Sequence, residues 1–91
     1  MRKGVLYTVT YDVPDDRRRV KIANLLKSYG ERVQLSVFEC WLNASEVEAL
    51  KQRLERVMEP SEDSVRIYSV RGAVQVLGVG KITEEENAFI V

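Results

Sequence analysis

Along GVLYTVTYD, Gly4 to Asp12, side chains alternate so that Val5, Tyr7, Val9 and Tyr11 share one face and Leu6, Thr8, Thr10 and Asp12 the other. Its β-branched and aromatic residues fit a pleated surface, which predicts a strand. Pro14 cannot extend a ladder, Asp15 suits a helix N-cap, and Asp16 falls where the positive end of a helix dipole favours an acid. A helix is therefore predicted over about 16–29, with Ile22, Leu25, Leu26 and Tyr29 as its buried stripe and Gly30 to end it. The stretch from Arg32 to Asn43 (RVQLSVFECWLN) is strand-like but exceeds the usual five or six residues, so it is expected to fold back near Phe38 and Glu39. Asn43 or Ser45 then caps a second helix, each followed three residues later by a glutamate, Glu46 or Glu48. Val47, Leu50, Leu54 and Val57 to Met58 form its apolar stripe, and Pro60 ends it. SVRIYSV, Ser64 to Val70, and AVQVLGV, Ala73 to Val79, read as two strands separated by Arg71-Gly72, and the chain ends in an apolar AFIV tail.

The order β, α, β, β, α, β with an extra C-terminal strand predicts an α+β domain, the ferredoxin-like βαββαβ sandwich with both helices on one sheet face. The other face is then left bare. Uncovered apolar sheet on so small a domain finds a partner, so a two-fold homodimer is expected, with residues 81–91 packing on the partner subunit.

Ninety-one residues fit one domain, 1–91, because either half alone would bury too little. No apolar run approaches the length of a membrane span and none resembles a signal peptide, so a cytoplasmic protein with no membrane partner is expected. The single cysteine, Cys40, excludes an internal disulfide and a multi-thiolate zinc site. With no histidine present, any catalysis falls to carboxylates, hydroxyls or a hard cation. Net charge is zero but unevenly placed: residues 1–32 carry +4 and residues 33–91 carry −4.

The chemistry concentrates in YDVPDDRRR. Asp12 ends a strand, where rigid backbone holds a side chain that still reaches solvent. It reads either as a carboxylate bonding loop amides or as a ligand for Mg²⁺, which needs only one or two protein carboxylates and so could use one Asp from each subunit of a dimer. Arg17, Arg18 and Arg19 oppose the helix dipole unless anions compensate. Pairing of Asp15 or Asp16 with Arg19 satisfies one of them, leaving guanidinium groups either solvated or cradling a phosphate. Cys40, Trp41 and Tyr68 read as packing residues, and the KQRLER run as a charged helix face with Leu54 inward.

These segments resemble the family called CRISPR-associated protein two, the small subunit of the CRISPR spacer-acquisition machinery. The matching segments are Tyr11-Asp12, then DDRRRVKIANLL, then Arg32-Val33-Gln34-Leu35-Ser36-Val37-Phe38, within about the first 45 residues. Cys40 departs from the family, which often has glycine there. The resemblance implies a homodimer acting beside a CRISPR integrase subunit, and Mg²⁺-dependent endonuclease activity on single-stranded RNA or DNA. It carries Asp12 over as catalytic metal ligand and Arg17, Arg19, Arg32, Ser36 and Phe38 as contacts to nucleic acid or phosphate. Phe38 reads equally as a base-stacking platform or a core aromatic. The alternatives are a non-catalytic DNA-binding subunit that bridges integrase dimers on duplex DNA and, more remotely, a regulatory module for a small ligand.

Overall fold

A computed structural model describes residues 4–80. The elements run β1 (Val5–Asp12), α1 (Asp16–Lys27), β2 (Glu31–Gln34), β3 (Val37–Leu42), α2 (Ala44–Val57) and β4 (Ser64–Val70). The sheet order is β2-β3-β1-β4 with every neighbouring pair antiparallel, which is the ferredoxin-like arrangement. The alternation along β1 sets its two faces. Val9 and Tyr11 join Phe38, Cys40 and Leu42 of β3 beneath Ile22, Leu26, Leu50 and Leu54 of the helices, forming the core. Leu6, Thr8, Thr10 and Asp12 point to the other face, beside Val70, Tyr68, Arg66 and Ser64 of β4 in that order.

Local chemistry explains where the helices start. The Asp15 carboxylate accepts the Arg18 N–H at 2.9 Å. Of the two candidate caps for α2, Asn43 is the one used: its side chain accepts the Glu46 N–H at 2.9 Å, and the Glu46 carboxylate accepts the Asn43 N–H at 2.8 Å. That is the capping box. α1 ends two residues earlier than expected, at Lys27. Gly30 is needed for closeness to β3: a Cβ there would lie 2.2 Å from the Glu39 carbonyl oxygen and 2.6 Å from the Cys40 sulfur.

Two expectations are corrected. The β2–β3 turn falls at Leu35-Ser36 rather than near Phe38 and Glu39. Phe38 and Cys40 must both face the core, and Tyr11 pins the earlier turn, its N–H donating to the Ser36 carbonyl and its hydroxyl to the Leu35 carbonyl, each at 3.1 Å. Residues 73–79 form no strand, although β4 has no outer neighbour among the described residues. Tight hairpins need a positive φ at the first central residue, and here only the second, Gly72 at φ 86°, has one. The apolar tail lies outside the described residues.

Candidate nucleic-acid interface and metal-binding edge

Successive residues of a helix point about 100° apart, so the three arginines opening α1 meet three environments. Arg18 turns toward the α2–β4 connection. Its Nε donates to Asp63 Oδ2 at 2.8 Å, and its Nη2 to Asp63 Oδ1 at 3.1 Å and to Glu62 Oε1 at 2.8 Å. The Asp63 side chain is wholly buried and also accepts the Glu59 N–H at 2.8 Å. The Arg18 hydrogen bond, aided by the Glu59 N–H, holds the Asp63 carboxyl below its ordinary value against the opposing cost of burial. Arg18 is therefore not one of the spare guanidinium groups. Sequence reading missed Asp63 because three acids stand in the Glu59 to Asp63 connection and nothing local marks which one turns inward.

Arg19 donates to the Val13 carbonyl at 2.9 Å and pairs with Asp16, the expected i, i+3 partner. Arg17 is exposed and its side chain makes no hydrogen bond or ion pair among the described residues.

Arg32 lies with its guanidinium 5.2 Å from the centroid of the Phe38 ring and reaches the Tyr11 hydroxyl at 3.5 Å. Together Arg19, Arg32 and Ser36 line one groove between α1 and the β2–β3 turn, with a volume of about 390 Å³. Three residues singled out from sequence thus meet there. Asn24 and Lys27 line it too and were missed, although they stand four and seven residues after Val20, on the helix face that Val20 and Ala23 also present to the groove. Among the described residues, no acid lines this groove.

Phe38 is corrected as a base-stacking residue. It has no exposed surface, and its ring packs against Tyr11 at a centroid separation of 6.3 Å. Its part in the site is to support Arg32 from below.

Asp12 is exposed at the end of β1 and its side chain has no hydrogen bond or ion pair among the described residues, so the reading in which it binds loop amides does not apply. Strand parity turns it to the uncovered face, with Ser64 opposite it and Arg66 diagonal to it. An exposed carboxylate of this kind suits a hard cation that keeps most of its waters. Among the described residues, no group of three or more His, Cys, Asp and Glu stands together. Tyr11 lines the groove and Asp12, the next residue, faces away from it. The groove and the carboxylate therefore lie on opposite sides of the sheet. Tyr68, expected to be packed, is 48% exposed on the Asp12 side.

Comparison with known proteins follows the same outline. The family model described as CRISPR associated protein Cas2 matches residues 5–75. The "CRISPR-associated endonuclease Cas2 2" of Thermus thermophilus is 61% identical over 79 residues, spanning 87% of this chain and 88% of its own length. A crystal structure of a Thermus thermophilus protein described as hypothetical superposes with a TM-score of 0.84 at 59% identity, covering 89% of this chain and 99% of that one. A chain of a partial Cas6-RT-Cas1–Cas2 complex superposes with a TM-score of 0.66 at 31% identity, covering 74% of this chain and 79% of that one. With the family model matching residues 5–75 and a relative 61% identical over 87% of its length, the chain belongs to the CRISPR-associated protein Cas2 family.

Proposed function

We propose that the chain acts in CRISPR spacer acquisition as a cytoplasmic two-fold homodimer beside a Cas1-type integrase subunit, and that it binds nucleic acid and hydrolyses its phosphodiester bonds. The observation that carries the hydrolytic part is Asp12, an exposed carboxylate, unpaired among the described residues, on rigid backbone at the edge of an uncovered sheet face. A two-fold axis passing close to the end of β1 would bring one Asp12 from each chain together. Those carboxylates would hold Mg²⁺ or another divalent cation, which would supply an acidified water and charge neutralisation at the phosphoryl group. Arg17, on the adjoining helix turn, is available to bind a substrate phosphate and to offset charge developing on its oxygens. Arg19, Arg32 and Ser36 hold the nucleic-acid backbone in the groove.

One observation favours a second reading, a scaffold that binds duplex DNA without cutting it. The cationic groove lies on the opposite side of the sheet from Asp12, so backbone held there is not thereby presented to the carboxylate. A single experiment separates the two. Purified protein is given labelled single-stranded RNA or duplex DNA with and without Mg²⁺, alongside Asp12→Asn. The hydrolytic reading expects Mg²⁺-stimulated cleavage that drops about a hundredfold or more in the variant, with binding unchanged. Cleavage that survives the substitution removes Asp12 from the chemistry, and binding without cleavage in the unmodified protein leaves the scaffold.

A further inference from the structure

We infer that the groove between α1 and the β2–β3 turn is a subsite for a nucleotide phosphomonoester, the terminal phosphate of a strand or a free mononucleotide, in preference to an internal phosphodiester. This rests on the reading of the groove as a phosphate contact and specifies what it takes.

The argument begins with charge. Of the three cations lining the groove, Arg19 is already matched by Asp16. Lys27 makes no hydrogen bond or ion pair among the described residues, and the contacts of Arg32 are the neutral Tyr11 hydroxyl and the Phe38 ring. Lys27 and Arg32 therefore line the cavity with no acid paired to either among the described residues. An internal phosphodiester brings one negative charge, whereas a phosphomonoester carries about −1.5 to −2 near pH 7. The doubly charged group matches the pair.

Size and lining agree. A volume of about 390 Å³ lies at the small end of ligand sites, on the scale of one nucleotide. The Asn24 carboxamide and Ser36 hydroxyl offer both donors and acceptors, as a sugar or base edge requires. Val20 and Leu35, 57% and 84% exposed, give the groove apolar edges against which a ribose or base can rest. The guanidinium of Arg32 rests over the buried Phe38 ring, which favours its placement at the groove.

The test uses short oligothymidylate strands ending in a 5′-phosphate, a 3′-phosphate or hydroxyls at both ends, with affinity read by fluorescence anisotropy at one salt concentration. A phosphorylated end is expected to bind about tenfold tighter than hydroxyl ends. Lys27→Ala is expected to abolish that preference, Lys27→Arg to restore it, and Asp12→Asn to leave it intact. Competition by adenosine 5′-monophosphate identifies a free nucleotide as the ligand, and its failure to compete identifies a strand end. Equal affinity for all three strands, or a preference that persists in Lys27→Ala, overturns the inference while leaving nucleic-acid binding in place. Loss of binding to every strand overturns the phosphate-contact reading beneath it as well.

Discussion

Asp63 carries a charge with no exposed surface, and such a charge stands only where donors replace the lost water. Two Arg18 bonds and the Glu59 N–H do so, and in closing that network they tie the first turn of α1 to the α2–β4 connection. The orientation of Arg17 and Arg19 is inherited from this anchor. Because the folded Asp63 carboxyl lies below its ordinary value of 3.8, its contribution to stability is complete above that pH and is lost as pH falls through the lower folded value. Asp63→Asn is accordingly expected to lower the urea midpoint near pH 7 and to shrink the further fall that the unmodified protein shows on acidification below about pH 4. Parallel acid profiles for the two proteins would remove Asp63 from the anchor. The RRR run itself was legible as a charge problem. Its solution was not, because the partner of Arg18 lies 45 residues away.

At the scale of elements, the site depends on how closely α1 approaches β3 and on where β2 turns back. Gly30 permits the first, since any side chain there would press on Glu39 backbone and the Cys40 sulfur. Gly30→Ala is expected to cost about 2 kcal/mol by urea denaturation, the usual scale for overfilling a packed contact. An unchanged midpoint would mean that the helix end can move outward freely. Cys40 at this contact is buried, and burial pushes its thiol up to about 11, in keeping with its reading as a packing residue. The strand and helix segments were legible because their periodicities differ. The β2–β3 turn was not, because Leu35-Ser36 has neither glycine nor proline and is held by Tyr11 of β1, 24 residues from Leu35.

Across the whole molecule, the helices leave one sheet face bare, and Val76, Leu77 and Val79 add exposed apolar surface. Leu77 is 91% exposed and Val79 fully so. Burial of such a segment is worth about 25 cal/mol per Å² of apolar area removed from water, which favours its docking on a second copy. Leu77→Asp is expected to shift sedimentation from dimer toward monomer while leaving the far-ultraviolet circular dichroism unchanged. A dimer of undiminished stability would locate the interface elsewhere and would remove this segment from the pairing of the two Asp12 carboxylates. No helix among the described residues is long and apolar enough to cross a membrane, so this surface is not a helical span.

The amino-acid sequence alone determined the order of the six elements, the ferredoxin-like class, the Asp15 cap of α1, and Asp12 and the Arg17 to Arg19 run as residues of interest, while Arg32, Ser36 and Phe38 were marked through the family resemblance. Hydrophobic period, caps and local charge are properties of neighbouring residues, so they can be read along the chain. Tertiary structure decided that Arg18 is spent on Asp63, that Phe38 supports Arg32 from within the core, and that Asn24 and Lys27 join Arg19, Arg32 and Ser36 in one groove. It also decided that the groove and Asp12 occupy opposite sides of the sheet. Each of these depends on contacts between segments far apart in sequence, whose alignment is set by packing of the whole core and leaves no mark on any single stretch.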